Sequence, residues 1–282
     1  MSVPTITLND QTTIPQFGVG VWQVPADVTE RVVSEALEVG YRHIDTAQMY
    51  GNEAGVGAAI KASGLARDEL YVTTKLNNNN HEPARAKASL AESLDRLGLD
   101  KVDLFLIHWP LPTQYDGDYT ATWQALVELQ EEGLATSIGV SNFQPEHLDT
   151  IVSRTGVVPA VNQIEVHPYF GNEAARAATL THGAFVESWS PLGQGGGELE
   201  DPALVKIAAD HGKTPAQVAL RWQLERGDIV FPKSVRRERL EENFAVFDFT
   251  LTPEEVDAIS ALDKGETGRT GPNPDTFDYI PG

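Results

Sequence analysis

Eight short apolar runs punctuate the chain, and helical patterning fills the stretches between them. The runs occupy residues 19–21, 43–45, 71–75, 104–107, 138–140, 160–165, 185–189 and 229–231. Successive starts lie mostly ~25–35 residues apart, the length of one strand plus a helical crossover. The runs read as buried strands, as in a parallel sheet covered on both faces. Eight such units predict a single (β/α)8 TIM barrel. A doubly wound open sheet is the structural alternative. Residues 5–8 and 14–17, on either side of Asn9-Asp10, read as an N-terminal β-hairpin outside the repeat. No low-complexity tract or Pro/Ser-rich linker divides the chain, so one domain over residues 1–282 is expected, ending in a short C-terminal tail. That tail, from Gly265 to Gly282, is rich in Gly, Pro and Asp, and either folds over a pocket or stays loose.

The helices between the runs carry start and stop signals. Asp27 and Glu30 suggest a capping box ahead of Val28, Val32, Val33 and Leu37, with Gly40 as the stop. Leu90, Leu94 and Leu97 recur at helical spacing before Gly98. Thr214-Pro215-Ala216-Gln217 and Thr252-Pro253-Glu254-Glu255 each combine a cap, a proline at the first helical position and a box partner. The Gly55-Val56-Gly57 pair is a decoy for a dinucleotide fingerprint, because it follows a loop and lacks the third glycine.

Composition excludes several function classes. The chain has no cysteine, hence no disulfide, no thiolate nucleophile and no Cys-ligated zinc. Its seven histidines are scattered without a His-x-x-x-His pair, so no metal site is expected. The amino terminus does not read as a secretory signal, so none is expected there, and no run approaches the ~18 apolar residues of a membrane span. With 21 Lys plus Arg against 41 Asp plus Glu, the formal net charge of −20 repels nucleic acid and anionic lipid. The expectation is a cytoplasmic monomer without nucleic-acid or membrane partners. Against that charge, Lys233, Arg236, Arg237 and Arg239 crowd into seven positions. The run is either a solvated helix face or an anion site.

Barrel enzymes carry their chemistry at the carboxyl ends of the strands. The second run ends in Asp45 with Tyr50 in the following loop, the third in Lys75, and the fourth in His108. Neighbouring strands bring these together on one rim. Singly, each has a bland reading: an ion pair, a hydrogen-bonded histidine, a rim aromatic. Together they suggest more. A lysine at the end of a buried strand needs a counter-charge, and Asp45 supplies one. The ammonium is expected to lower the phenol pKa from ~10 toward the working range. Tyr50 then suits proton donation to a carbonyl oxygen, with His108 orienting that oxygen. Hydride from a nicotinamide is the natural electron source.

The chain resembles the aldo-keto reductase family in Gly40-Tyr41-Arg42-His43-Ile44-Asp45-Thr46-Ala47 with Tyr50-Gly51-Asn52-Glu53, Thr74-Lys75-Leu76 and Leu106-Ile107-His108-Trp109-Pro110. Ile138-Gly139-Val140-Ser141-Asn142, Val161-Asn162-Gln163-Ile164-Glu165 and Phe231-Pro232-Lys233-Ser234 continue it in the family's order. It is most similar to the bacterial 2,5-diketo-D-gluconate reductase group. The resemblance implies NADPH-dependent reduction of small aldehydes or ketones, sugar-derived or dicarbonyl compounds among them. It implies Tyr50 as general acid, Asp45 and Lys75 as the pair that tunes it, and His108 as the carbonyl-orienting group. Ser141, Asn142 and Gln163 are implied to hold the nicotinamide carboxamide, and Trp189 to stack on the ring. Ser190, Leu192 and Gln194 are implied along the pyrophosphate, under a flexible cover at residues 193–197. Lys233, Ser234, Val235, Arg236 and Arg239 are implied around the 2′-phosphate, with Glu242 and Asn243 at the adenine. Trp22 and Trp109 are expected to shape the substrate pocket. Asn77 stands where the nearest relatives carry tryptophan, within the run Asn77-Asn78-Asn79-Asn80. It is either a turn residue or a wider, more polar pocket wall. Two other functions fit the same residues: an NADPH-binding regulatory subunit, and a barrel lyase or isomerase acting on a phosphorylated substrate.

Overall fold

The computed structural model describes residues 3–281. The hairpin forms from β1 (Thr5–Thr7) and β2 (Thr13–Pro15), with Ile6 opposite Ile14. Eight further strands follow: β3 (Val19–Gly20), β4 (His43–Asp45), β5 (Tyr71–Leu76), β6 (Val102–Ile107), β7 (Ala135–Ser141), β8 (Val161–Glu165), β9 (Phe185–Trp189) and β10 (Ile229–Val230). They pair in parallel and in sequence order from β3 to β10. The two ends of the sheet then meet. Gly18 N–H donates to Val230 O at 2.9 Å, and Val230 N–H donates to Gln16 O at 3.0 Å. A doubly wound sheet reverses its strand order partway; this one closes on itself. Close packing inside the barrel constrains single residues. A Cβ on Gly139 of β7 would sit 2.7 Å from Val161 O and 2.8 Å from Leu106 Cδ2.

The helices are α1 (Ala26–Val39), α2 (Glu53–Ser63), α3 (Pro83–Leu97), α4 (Tyr119–Glu131), α5 (Pro145–Thr155), α6 (Glu173–Thr181), α7 (Pro202–His211), α8 (Pro215–Glu225), α9 (Arg237–Phe244) and α10 (Pro253–Ser260). The boxes on Thr214 and Thr252 form as expected. The one expected from Asp27 and Glu30 does not. That helix begins at Ala26 after Pro25 without a side-chain cap, and Asp27 falls in its first turn, where a negative charge suits the helix dipole. Gly40 and Gly98 end their helices with positive φ, as expected.

The outer face of the sheet is apolar and packs on the helices through Val72, Phe105, Ile107, Val140, Leu90, Trp123 and Leu126 among others. Each fully buried side chain of this size stabilises by roughly 1.5–3 kcal/mol. Inside the barrel the floor is apolar: Leu8 and Ile14 of the hairpin region cluster with Tyr71, Leu104, Leu106, Val161 and Ile229. Above that floor the interior turns polar, and the functional side chains begin there. The tail does not stay loose. Thr270 and Gly271 N–H groups donate to the Glu165 carboxylate, the Phe277 ring lies 4.2 Å from Trp109, and Asn78 Nδ2 donates to Tyr279 O at 2.9 Å. These contacts draw the tail across the carboxyl ends of the strands. Among the described residues, no helix is long and apolar enough to cross a membrane.

Candidate active site

Asp45, Lys75 and His108 stand at or just beyond the ends of β4, β5 and β6, neighbouring strands in the sheet. Tyr50 reaches them from a short 3-10 turn, Gln48–Tyr50, closed by Gly51 at φ 67°. The Lys75 side chain is fully buried, and its three N–H bonds are all used. They go to Asp45 Oδ1 at 2.7 Å, Thr46 O at 3.0 Å and Tyr50 Oη at 3.2 Å. Burial pushes the lysine pKa down, but Asp45 and Tyr50 outweigh it and hold the pKa above its usual value. The ammonium is therefore firmly charged. Burial lifts the Asp45 carboxyl above its ordinary range, against the pull of Lys75 and Gln163.

The phenol departs from the sequence expectation. Burial raises its pKa more than Lys75 lowers it, and Asp45 raises it further, so the net direction is up. Removing water penalises the phenolate more than one ammonium already shared with Asp45 can repay. Tyr50 consequently keeps its proton at neutral pH. Its oxygen accepts from Lys75, which leaves the hydroxyl hydrogen free to be given to a group in the cleft. The His108 ring packs edge-on against Tyr50 with centroids 5.7 Å apart. Burial, reinforced by Lys75, holds its pKa well below the usual histidine value, so the imidazole is neutral. One ring nitrogen, Nδ1, is buried without a hydrogen-bond partner among the described residues.

A second layer continues the network. Gln163 Nε2 donates to Asp45 Oδ2 at 2.9 Å and to Glu187 Oε2 at 3.0 Å. Ser141 Oγ donates to Gln163 O at 2.8 Å, and Asn142, at φ 65°, donates through Nδ2 to His108 O at 2.9 Å. Asn142 Oδ1 accepts from Trp189 Nε1 at 2.8 Å, which fixes the indole plane. Ser141, Asn142, Gln163 and Trp189 thus stand together beside the Tyr50–Lys75–Asp45 cluster. Beyond β9, Gln194 Nε2 donates to Ser190 Oγ at 2.7 Å. The stretch 193–197, expected as a flexible cover, opens with a 3-10 turn, Gly193–Gly195, and leads into a second, Glu198–Glu200.

The basic run divides in two. Arg237 is paired with Glu38 and Glu241, an ordinary charged helix face. Lys233 and Arg239, without a carboxylate partner among the described residues, line a cavity of about 250 Å³ with Leu192, Leu199, Glu242 and Asn243. Ser234 Oγ accepts from Arg236 N–H at 3.1 Å and shapes the turn into α9. Val235 packs on the core, and the Arg236 side chain is exposed. Two cations against one carboxylate, Glu242, around a void in a protein of net charge −20 fit an anionic group such as a phosphate.

At the mouth, Trp22 is 42% exposed and Trp109 is covered by Phe277. The Asn77 side chain bonds back to Asn78 N–H at 2.8 Å, the turn geometry expected of asparagine, and its own N–H donates to Gln48 Oε1 at 2.9 Å. Sequence reading missed Glu187, the Glu165 latch on the tail, the Gln48 hub and the Thr214–Pro215–Ala216 wall of the cavity. The alternation Phe185, Glu187, Trp189 along one strand was a usable signal for Glu187, because it puts a carboxyl on the inward face. The others depend on segments far apart in the chain.

The fold and this cluster define a (β/α)8 barrel with a proton-bearing phenol over a buried ion pair. Known proteins narrow that class. The model of the Aldo/keto reductase family matches residues 14–264. The chain is 49% identical to an aldo-keto reductase of Mycolicibacterium smegmatis over 98% of both chains. It is 51% identical to the methylglyoxal reductase DkgA of Yersinia pestis over 97% of both. Among solved structures, an aspartate-to-alanine variant of Gox0644 in complex with NADPH aligns with a TM-score of 0.93 at 45% identity, covering 99% of this chain and 100% of that one. The aldo/keto reductase from Brucella melitensis aligns with a TM-score of 0.90 at 50% identity, covering 93% and 99%. The chain belongs to the aldo/keto reductase family.

Proposed function

We propose that this protein works as one barrel domain that reduces small aldehydes and 2-oxoaldehydes to alcohols with NADPH. The observation that carries the reading is the Lys75 ammonium, spent on Asp45, Thr46 and Tyr50, beneath a phenol whose proton is free to leave toward the cleft. NADPH, when bound, supplies the hydride. The chain's residues manage the proton and the geometry. His108, held neutral, donates an N–H to the substrate carbonyl oxygen and orients it. Tyr50 gives that oxygen its proton as negative charge develops. Lys75 stabilises the phenolate left behind, and Asp45 keeps the ammonium charged. Ser141, Asn142 and Gln163 position the carboxamide, and Trp189 offers the ring a flat face. Ser190, Leu192 and Gln194 flank the pyrophosphate. Lys233, Ser234 and Arg239 take the 2′-phosphate, with Arg236 close by, and Glu242 and Asn243 lie toward the adenine.

The substrate class is supported by the similarity to methylglyoxal reductases of Yersinia pestis and Escherichia coli, 51% and 47% identical. It is also supported by the aromatic side chains Trp109, Phe277 and Tyr279, which pack on one another across the strand ends and suit a small carbonyl substrate. The reading extends to a monomer in the cytoplasm, which sedimentation of the pure protein and cell fractionation would check. The test of the function is turnover of NADPH with methylglyoxal and a panel of short aldehydes. Steady oxidation of NADPH is expected. Binding of NADPH without turnover would favour a regulatory subunit. Turnover of a phosphorylated substrate without NADPH oxidation would favour a lyase or isomerase.

A further inference from the structure

We infer that Glu187 is a positioning residue for the cofactor: its buried carboxyl locks the Gln163 side chain so that Oε1 is the amide atom offered to the nicotinamide carboxamide. The inference rests on the NADPH-dependent reductase reading. Gln163 and Glu187 are register partners on β8 and β9, and both side chains point into the barrel. Glu187 is wholly buried. A glutamine amide turns about its last torsion with little preference between its two faces, so only its neighbours decide which end leads. Here both N–H bonds of Gln163 Nε2 meet carboxyl oxygens, Asp45 Oδ2 at 2.9 Å and Glu187 Oε2 at 3.0 Å. With the acid proton of Glu187 on Oε1, a flipped amide would set the Gln163 oxygen against the Asp45 carboxylate and the Glu187 carbonyl oxygen Oε2. Asp45 Oδ2 holds one of the two N–H bonds while its Oδ1 takes Lys75, and the second N–H depends on Glu187. Among the described residues Glu187 has no other hydrogen-bond partner: its second oxygen is buried and unpaired.

The charge balance sets a pH window. Asp45 from β4, Lys75 and Tyr71 from β5 and Gln163 from β8 surround Glu187, so two carboxyls share one ammonium. Burial, then the Asp45 charge, lift the Glu187 pKa to about 8 against the opposing effects of Gln163 and Lys75. At neutral pH the group is a neutral acid that accepts from Gln163 without competing for Lys75. Above pH 8 it becomes a second anion, draws on Lys75 and disturbs the Asp45–Gln163 arrangement.

The experiment is a titration with NADPH, read by quenching of tryptophan fluorescence, on wild type, Glu187→Ala and Glu187→Gln between pH 6 and 9. The expected result is a wild-type Kd that rises through pH 8. Glu187→Ala should bind about tenfold more weakly at pH 7, and Glu187→Gln, isosteric with the neutral acid, should bind as wild type at pH 7 with no rise above pH 8. Equal Kd values for all three proteins across the range would overturn the inference, as would a Glu187→Gln curve that rises in parallel with wild type. Should the alanine variant fail to fold, the glutamine curve decides alone. A wild type that binds no NADPH at any pH defeats the reductase reading and the inference with it, and so separates that failure from one confined to Glu187.

Discussion

At the scale of the residue, the site depends on a cation deprived of water. Lys75 is tolerable only because Asp45, Thr46 and Tyr50 take all its donors. Replacing it by the near-isosteric Lys75→Met leaves Asp45 buried without its counter-charge. Breaking a buried pair on one side costs about 3–5 kcal/mol, so urea unfolding should show a loss of that size together with loss of turnover. Tyr50→Phe removes only the proton and its oxygen. Turnover with an aldehyde should fall at least ~100-fold, the lower range for a general acid, while NADPH quenching of tryptophan fluorescence stays unchanged. A variant that turns over as wild type does would remove Tyr50 from the acid role. The raised phenol pKa carries a lesson about inference from residue types. A lysine beside a tyrosine in a sequence suggests a lowered pKa, yet burial decides the net direction here. Burial is a property of the assembled barrel.

At the scale of the element, the cavity lined by Lys233 and Arg239 is built from three separate pieces. The segment after β10 supplies Lys233, α9 supplies Arg239, Glu242 and Asn243, and the capped start of α8 supplies Thr214 to Ala216. Thr214 Oγ1 also donates to Glu242 Oε1 at 2.7 Å, which ties the cap of one helix to the side of the next. Arg239→Ala should weaken NADPH by about 10–100-fold, the loss of one charge-assisted contact of ~1.5–3 kcal/mol, and leave NADH unchanged. An equal loss for both cofactors would mean that Arg239 supports the helix and does not read the 2′-phosphate. Helix and strand identities along these pieces were legible in the sequence, since Thr214-Pro215 and Thr252-Pro253 announce their helices locally. The Asp27–Glu30 box was not: Pro25 starts that helix earlier, and backbone geometry overrode the side-chain pattern.

At the scale of the whole molecule, several buried ionisable groups make stability depend on pH in opposite directions. Burial lowers the pKa of His43 to about 3 and of His81 to about 4, and holds His108 well below 6.5. Each contributes stability that is present above the unfolded value of ~6.5 and lost as pH falls. Glu187 acts the other way. Its pKa is raised from 4.5 to about 8, so its contribution is full below pH 4.5 and lost as pH rises through 8. At ~1.4 kcal/mol per unit that loss is on the order of a few kcal/mol. Thermal unfolding followed against pH should therefore show a maximum near pH 6.5. Glu187→Gln should remove the alkaline fall and keep the acid one. A fall above pH 7 that survives in the variant would place its origin elsewhere. The sequence by itself determined the eight-unit barrel, because strand and helix periodicities and their caps are local. It also singled out Asp45, Tyr50, Lys75 and His108, which the fold brings together, because strand ends are where a barrel exposes its chemistry. Only the tertiary structure decided that the tail lies on Glu165 and Trp109, that Arg237 pairs with Glu38 while Arg239 does not, and that Glu187 faces Gln163. Those outcomes depend on which distant side chains meet out of water, and contact across the fold sets both the pairing and the charge.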